Sequence, residues 1–362
     1  MSDSSSSIIL IGIGTSGSIL ARGVRRAFGE GLRYLLLDTD ARTGQGDGDF
    51  VLLGGDRLSG RGTGGDVVAG RMAAEDSIRT IDEHLEGVRL VVVVTALGGG
   101  TGGGATFEVL KHLSQNGTPT IVFATTPFAL EGEDRQRNAR GMISMIEECA
   151  HSAFFLPLDS LVSNIDNMDE AFRCAMGILS SGITFFWRLI EKPGYIRLDI
   201  ERLRHILSGV GRGRFATVTV QGPGRAQEAL EKLLVAETLT VASGPVHSTL
   251  CGILGGEDLL LSEVGTIANG LQKAFTGESF NLATVNDPET FSGRLVVVVM
   301  IFETSSKTAK RDLTGPRPNL KHTPLSLGPN GNGRFQNAEP TIWHGENIDI
   351  PTFVRRNINL EF

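Results

Sequence analysis

Short apolar runs alternate with segments of helical period along the first part of the chain. Each run is almost continuously apolar, which is typical of strands buried on both faces of a parallel sheet. The predicted strands are residues 8–13, 32–37, 90–95, 120–125 and 153–158. The predicted helices are residues 17–28, 70–86, 103–114 and 135–150. This alternation predicts an α/β fold with a doubly wound, Rossmann-like parallel sheet over residues 8–165.

A long helix is predicted at residues 166–191, because apolar residues recur at spacings of three and four before Lys192-Pro193-Gly194 ends it. With the loop that follows, it forms a central segment at residues 166–203. Further strands are predicted at residues 215–220, 247–254, 279–285 and 295–302, with helices at 225–235 and 262–275. We expect a smaller α+β domain over residues 204–304.

The last part of the chain has a different composition. Residues 305–341 are rich in Pro, Gly, Asn, Lys and Ser, which predicts a flexible linker. Residues 342–362 regain apolar side chains, and a short apolar segment on a tether is typical of a peptide that binds a partner. The serine-rich residues 1–7 are expected to be disordered.

Composition excludes several classes of protein. Glycine accounts for 47 of 362 residues without a collagen period, which indicates glycine-built loops. The three cysteines lie far apart and no histidine has a second ligand at metal spacing, so we expect neither a disulfide framework nor a protein metal site. A net charge of −7 argues against binding to nucleic acid or an anionic membrane. With no predicted signal peptide or membrane span, we expect a cytoplasmic protein.

Two glycine motifs follow predicted strands. Gly12, Gly14 and Gly17 fit the G-x-G-x-x-G pattern, and Asp38 ends the second strand where a Rossmann acid would hold a ribose. On these residues alone, a nicotinamide-dependent oxidoreductase is an alternative. Residues 98–104 then form a second glycine-rich loop, whose backbone N–H groups can converge on a phosphate at the end of a strand. Two such loops favour a polyphosphate ligand.

Residues 98–105 (GGGTGGGA) resemble the signature loop of the tubulin superfamily and, within it, of the bacterial cell-division family FtsZ. Other segments resemble that family in the same order along the chain: residues 38–41 (DTDA), 62–71, 126–135 (TPFALEGEDR) and 349–356 (DIPTFVRR). The resemblance implies a GTP-binding domain, a long central helix and a smaller activation domain, with GTP or GDP and Mg²⁺ as cofactors.

The resemblance also implies roles for particular residues. The glycines of the first motif would approach the nucleotide, residues 98–104 would hold the α- and β-phosphates, residues 64–66 would sense the γ-phosphate, and the acid and arginine of residues 126–135 would reach the ribose and phosphates. The implied nucleotide-binding residues are Gly12, Gly14, Gly17, Asp38, Gly64, Gly65, Asp66, Gly98, Gly99, Gly100, Thr101, Gly102, Gly103, Glu131, Arg135 and Met176.

The chain departs from the family at the positions that read the guanine edge. Where the family has polar residues, this chain has Ile19, Met176 and Gly177. A pocket without base-directed hydrogen bonds should discriminate less among purines. Nearby polar residues could substitute for the missing ones: Ser18, Asn167 and Cys174.

A second departure lies after the long helix. Family members carry N-x-D-F-x-D there, a loop that enters the next subunit's nucleotide pocket, whereas this chain has R-L-D-I-E-R at residues 197–202. The implied catalytic residues are Asp199, the displaced acid Glu201, and Arg197 as a cation supplied in trans. Slow hydrolysis is one expectation; a plain amphipathic helix start is the other.

The expected function is a GTP-hydrolysing, FtsZ-like cytoskeletal protein that assembles head to tail at the division site. A divergent paralogue that binds nucleotide and co-assembles with slow or no turnover is the alternative. We expect the chain to bind itself and, through the tail, membrane-associated division proteins. The implied tail contacts are Ile350, Phe353, Val354, Arg355 and Arg356.

Overall fold

The computed structural model describes residues 7–29, 31–45, 49–161, 167–192, 194–207, 210–241 and 244–304, together with 342–343 and 346–347. The chain divides into two compact units at residues 1–314 and 315–362. The strands of the first unit are β1 (Ile8–Ile13), β2 (Tyr34–Asp38), β3 (Phe50–Leu52), β4 (Leu90–Ala96), β5 (Thr120–Thr126), β6 (Ser152–Pro157), β7 (Val210–Gln221), β8 (Val246–Gly255), β9 (Ser279–Asn286) and β10 (Arg294–Thr304).

These strands form one sheet in the order β3-β2-β1-β4-β5-β6-β7-β10-β8-β9. The first six run parallel to their neighbours, which confirms the predicted doubly wound α/β architecture. Strand β10 runs antiparallel to β7 and β8, so the later strands form a mixed region. Both predicted domains therefore contribute to a single sheet, and the exact division between them stays a prediction.

Helices cover both faces of the sheet. They are α1 (Gly14–Phe28), α2 (Gly55–Leu58), α3 (Val67–Glu83), α4 (Thr106–Gln115), α5 (Glu133–Cys149), α6 (Leu158–Leu161), α7 (Met168–Glu191), α8 (Ile200–Ile206), α9 (Arg225–Leu234), α10 (Glu237–Thr240), α11 (Leu261–Ala274) and α12 (Pro288–Phe291).

Strand β1 shows why the predicted strands are apolar throughout. Ile8 and Leu10 belong to the core cluster that contains α1 and α7, whereas Ile9, Ile11 and Ile13 belong to the cluster that contains α3, α4 and α5. Since successive side chains point to opposite faces, both sets must be apolar when both faces are covered.

Helix α7 is the longest described helix, and its 24 residues span about 36 Å at ~1.5 Å per residue. The Asn167 side chain caps its first turn by accepting from Glu170 N–H at 3.0 Å. Trp187 and Phe186 are fully buried in the cluster that this helix shares with α1 and with strands from both parts of the sheet. One end of α7 therefore lies far from the other along the molecule.

Several element boundaries differ from the predicted ones. Helix α1 begins inside the first glycine motif, at Gly14, and β3 is too short for its period to show in the sequence. Strand β7 begins at Val210, before the predicted residue 215, through a V-G-R-G-R segment with poor strand propensity. Gly213 is needed there, because a Cβ at this position would lie 2.3 Å from the Phe154 ring.

The second unit contains two short antiparallel strands, β11 (Ile342–Trp343) and β12 (Glu346–Asn347). The predicted linker at residues 305–341, the rest of the predicted terminal peptide at 342–362 and residues 1–6 lie outside the described residues. Those three predictions therefore stay predictions.

Candidate functional site

Loops at the carboxyl ends of five neighbouring parallel strands surround a cavity of about 800 Å³. This edge of a parallel sheet is where open α/β folds bind ligands. The lining comes from the loops after β1, β2, β4, β5 and β6, from the loop that precedes α3, and from the first half of α7. Of the residues predicted to bind nucleotide, twelve line the cavity: Gly14, Asp38, Gly64, Gly65, Gly98, Gly99, Gly100, Thr101, Gly102, Glu131, Arg135 and Met176.

The first glycine motif serves packing as well as the cavity. A Cβ on Gly17 would lie 2.5 Å from the Val94 carbonyl oxygen, and one on Gly12 would lie 2.7 Å from the Gly17 carbonyl oxygen. These two glycines therefore let α1 approach β1 and β4 closely, and neither lines the cavity. Gly14 does line it, with a φ of +76° that favours glycine.

The second glycine loop joins β4 to α4 through a wide π-type turn at Thr101–Ala105. Gly100 already has helical φ and ψ, and the Gly103 N–H donates to the Gly99 carbonyl at 3.1 Å. The N–H groups before Gly103 thus lie at a helix start, where they are free to face an anion. The loop therefore has the geometry of a phosphate cradle.

Most glycines of this loop are also required by close backbone packing. A Cβ on Gly102 would lie 2.0 Å from the Ala96 carbonyl oxygen, and one on Gly100 would lie 2.3 Å from the Asp66 carbonyl oxygen. Gly103 packs against Met142 and does not line the cavity. At Gly99, by contrast, a Cβ would meet no atom within 4 Å, so this position borders open space.

The loop before α3 closes over the second glycine loop. Gly64 and Gly65 have φ values of +60° and +92°, and the Asn138 side-chain amide donates to the carbonyls of Gly65 and Gly98 at 3.3 Å each. Asp66 caps α3 by accepting from Val68 N–H at 2.8 Å, and it does not line the cavity. Its carboxylate therefore organises this loop.

Asp38 lies at the cavity but its oxygens are already engaged. It is 2% exposed and accepts hydrogen bonds from the hydroxyls of Thr15 and Thr43 at 2.9 and 2.7 Å and from Thr39 N–H at 2.7 Å. Thr39 in turn shares a 2.7 Å hydroxyl contact with Thr101. Asp38 thus ties the loops after β1, β2 and β4 together.

Glu131 and Arg135, four residues apart along the chain, form an ion pair on the cavity wall. Glu131 also accepts from Phe128 N–H at 2.8 Å, which fixes its carboxylate. Thr125, at the end of β5, also lines the cavity, and its buried hydroxyl has no hydrogen-bond partner in the described part of the chain. A buried hydroxyl without a partner at a cavity is a group that a ligand can satisfy. Sequence reasoning missed it.

The end of the cavity next to β6 and α7 is apolar. Leu158, Phe172 and Met176 line it, and Met176 is 8% exposed. Ile19, the other apolar residue at a predicted base-reading position, is 44% exposed and is not part of the lining. This end can hold a flat apolar group such as a base by stacking and shape.

The predicted catalytic loop lies at the opposite edge of the sheet. Glu201 forms an ion pair with Arg89, the residue before β4, whereas the cavity lies at the carboxyl end of β4. Strand β4 has seven residues, so the two edges are about 20 Å apart. Arg197, Asp199 and Glu201 are exposed and do not line the cavity.

Each acidic residue of this loop has a partner within the subunit. Asp199 caps α8 by accepting from Arg202 N–H at 2.7 Å. Glu201 lies 3.5 Å from Arg204 as well as pairing with Arg89. The Arg202 side chain donates to Asn281 Oδ1 at 2.7 Å, which anchors the loop to β9.

Within the described residues, no cluster of three or more His, Cys, Asp or Glu side chains could hold a metal ion. Likewise, no helix in the described ranges is long and apolar enough to cross a membrane.

Comparison with known proteins gives consistent matches. Residues 7–166 match the Tubulin/FtsZ family, GTPase domain. Over 319 residues the chain is 28% identical to the cell division protein FtsZ of Magnetospirillum gryphiswaldense; the match covers 86% of this chain and 56% of that protein. The chain therefore spans little more than half the length of that relative.

Two solved structures share the fold. An FtsZ dimer from M. jannaschii has a TM-score of 0.77 at 23% identity, covering 88% of this chain and 94% of that one. CetZ2 from Haloferax volcanii, in a GTPγS-bound protofilament, has a TM-score of 0.69 at 22% identity, covering 83% and 94%. The oxidoreductase alternative gains no support from these matches. The chain has the tubulin/FtsZ fold, and its residues 7–166 are similar to the GTPase domain of the Tubulin/FtsZ family.

Proposed function

We propose that this protein binds GTP in the cavity, assembles head to tail, and hydrolyses GTP where two subunits meet. The observation that carries the proposal is the separation of two sets of residues. The glycine loops lie at the carboxyl ends of the parallel strands, and the loop at residues 197–202 lies at the other edge of the same sheet. A site divided between two ends of one molecule is completed by a second copy, and a repeated contact of this kind builds a filament.

The cavity accommodates a nucleotide in one direction. The apolar end at Phe172 and Met176 takes the base, and Glu131 accepts from ribose hydroxyls. Arg135, which is held by Glu131, offers a planar fork to a phosphate oxygen. The second glycine loop then takes the phosphates on its free N–H groups, with the support of the helix start.

A divalent cation fits the charge of this site. The cavity lining carries two arginines against four carboxylates, a formal charge of −2, and a bound triphosphate adds further negative charge. Mg²⁺ is held in such sites by one or two carboxylates together with phosphate oxygens, so a full protein cage is not required. Asp40, which lines the cavity and pairs with Arg42, is the carboxylate we assign to it; the ion would share this carboxylate with Arg42 or displace it. When bound, the ion would neutralise charge on the phosphates.

Hydrolysis in this proposal uses residues from both subunits. A water molecule attacks the terminal phosphorus, the bond to the bridging oxygen breaks, and GDP leaves with the bond's electron pair. Asp199 of the neighbouring copy orients the water and accepts its proton, while Arg197 offers positive charge to the terminal phosphate. Glu201 is held by Arg89 and Arg204 and therefore serves mainly to position the loop.

A second candidate function follows from the same loop. Only Asp199 remains as a carboxylate without an ion pair in this loop, and it already caps α8. A subunit with so few acidic groups supports slow turnover, as in a paralogue that binds nucleotide and co-assembles with an active partner. Phosphate release from pure filaments distinguishes the two candidates.

We further propose a role in bacterial cell division, in the cytoplasm at the division site. Support comes from the similarity to a cell division protein over 86% of the chain. The apolar residues Ile350, Phe353 and Val354, beside Arg355 and Arg356, would bind an acidic groove on a membrane-associated division protein. This segment lies outside the described residues, so the proposal rests on sequence.

The preference for GTP over ATP should be weaker than in a pocket whose polar groups hydrogen-bond to the guanine edge. Leu158, Phe172 and Met176 carry no group that can form such hydrogen bonds. Competition between GTP and ATP for the purified protein measures it. We expect a preference well below the 10⁴-fold that buried hydrogen-bonding groups can give. A preference of that size would mean that polar groups outside this lining read the base.

The test of the proposed function is sedimentation and phosphate release measured on one sample with GTP. We expect pelleting that depends on GTP, together with phosphate release that depends on protein concentration. Asp199→Asn keeps a side-chain oxygen for the α8 cap but removes the charge, so it should pellet normally and release phosphate more slowly. GTP binding without pelleting at any concentration would contradict the filament proposal.

A further inference from the structure

Arg61 is a cavity-lining arginine that the proposed roles leave unused. It lies in the loop that precedes α3, three residues before Gly64, and is exposed. Backbone hydrogen bonds hold this loop against the end of β2: Gly62 N–H donates to the Thr39 carbonyl and Ala41 N–H to the Gly60 carbonyl, both at 3.0 Å. The position of Arg61 at the cavity is therefore set by the backbone around it.

The guanidinium of Arg61 is available to a ligand. No hydrogen bond, ion pair or ring contact to the described residues engages it. Among the described residues that line the cavity, the other arginine is Arg135, whose guanidinium is paired with Glu131. Arg61 is thus the lining arginine without an ion pair, in a lining that also carries four carboxylates.

Strand order shows which part of a nucleotide would reach Arg61. Across the cavity the strands run β2, β1, β4, β5, β6, with Arg61 beside β2 and the apolar Leu158 beside β6. Neighbouring strands lie ~4.8 Å apart, so Arg61 is about 10 Å beyond the glycine loop of β4, on the side away from the apolar end. The reverse direction would place phosphates against Leu158, Phe172 and Met176, which offer no donors.

We infer that Arg61 binds the terminal phosphate of a nucleoside triphosphate and lets the site distinguish the triphosphate from the diphosphate. The inference rests on the proposed function and extends it. A planar guanidinium donates two parallel hydrogen bonds to phosphate oxygens, and the contact is lost when the terminal phosphate leaves.

The experiment compares affinity for GDP with affinity for a non-hydrolysable GTP analogue, both with Mg²⁺ and below the assembly concentration. Arg61→Gln removes the charge at an exposed position and should leave the melting temperature unchanged. We expect analogue affinity to fall about tenfold or more, as loss of a charge-assisted hydrogen bond implies, while GDP affinity stays within about twofold. Arg61→Lys should recover part of the loss.

The matched control is Arg57→Gln, another exposed arginine just upstream, which pairs with Asp76 and does not line the cavity. It should change neither affinity. Equal losses for both nucleotides in Arg61→Gln would show a structural role, and no loss for either would show that Arg61 does not contact phosphate; both results overturn the inference. If the unmodified protein binds neither nucleotide, the proposed function itself fails and the inference with it.

Discussion

Gly99→Ala tests the phosphate cradle without disturbing the fold. The added methyl group meets no atom within 4 Å and the backbone of Gly99 has no positive φ, so alanine is sterically acceptable to the protein. Replacing glycine in such a conformation usually stabilises by about 0.4–1 kcal/mol, because the unfolded chain has less freedom. The methyl group, however, occupies cavity space beside the N–H groups that would face a phosphate.

Loss of one charge-assisted hydrogen bond costs about 1.5–3 kcal/mol, which corresponds to roughly 10- to 150-fold weaker binding. Titration with a fluorescent GTP analogue measures this change, and a thermal melt on the same sample measures stability. We expect affinity to fall by at least tenfold at an unchanged or slightly higher melting temperature.

Two other glycines serve as controls. Gly141→Ala on α5 also meets open space, away from the cavity, and should alter stability slightly and binding not at all. Gly102→Ala would place its Cβ 2.0 Å from the Ala96 carbonyl oxygen, so it should lower the melting temperature as well as affinity. If Gly99→Ala bound the analogue as tightly as the unmodified protein, the assignment of this loop to phosphate would be wrong.

Two predictions concern stability and reactivity. Hydrogen bonds from Arg225 hold the pKa of Glu263 below its ordinary 4.5, so this pairing stabilises the fold above that pH and the benefit is lost as pH falls through the lowered pKa. Arg225→Met should therefore lower the free energy of unfolding by about 3 kcal/mol at pH 7, and by clearly less at a pH below the lowered pKa of Glu263, in urea titrations at both pH values. A constant difference would refute the pairing argument. Burial raises the pKa of the Cys251 thiol to about 12. A thiol reagent at pH 8 should therefore label Cys149 and Cys174 in the native protein but reach Cys251 only after denaturation. Labelling of all three cysteines in the native protein would contradict the buried position of Cys251.

Much of the fold could be predicted because its pattern is simple. Strands such as β1 and β4 are apolar on both faces, which occurs where helices cover both sides of a parallel sheet. The boundaries were harder to predict where glycine intervened. A glycine weakens the strand and helix signals, yet Gly213 is present in β7 because the Phe154 ring leaves no room for a side chain.

The candidate site shows a similar limit. A run of glycines predicts a phosphate loop, but glycine also serves close packing of backbone, and the sequence does not distinguish the two uses. The three-dimensional packing distinguishes Gly99, which borders open space, from Gly12 and Gly17, which bring α1 against the sheet. Thr125 gave no signal, because threonine is common at the end of a strand and its unpartnered hydroxyl appears only in three dimensions.

The altered loop after α7 was visible in the sequence, but its contacts were not. Glu201 pairs with Arg89, which lies 112 positions away along the chain. That contact depends on how α8 packs against the edge of the sheet, and no local pattern reports it. It gives Glu201 a partner within the subunit, and the catalytic role of Glu201 stays a prediction.

The central claim is that the active site is shared between two copies, and mixing two defective variants tests it most directly. At a GTP concentration that fills the unmodified protein but leaves Gly99→Ala largely empty, the Gly99→Ala cavity is mostly unoccupied and the Asp199→Asn loop lacks its charge, so each variant alone should release little phosphate from GTP. In an equal mixture, an interface between the intact cavity of one variant and the intact loop of the other is complete, and random head-to-tail order makes about one interface in four of this kind. We predict phosphate release near a quarter of the unmodified rate. A mixture no more active than the sum of the two variants would show that each subunit uses its own loop, and the shared site would be ruled out.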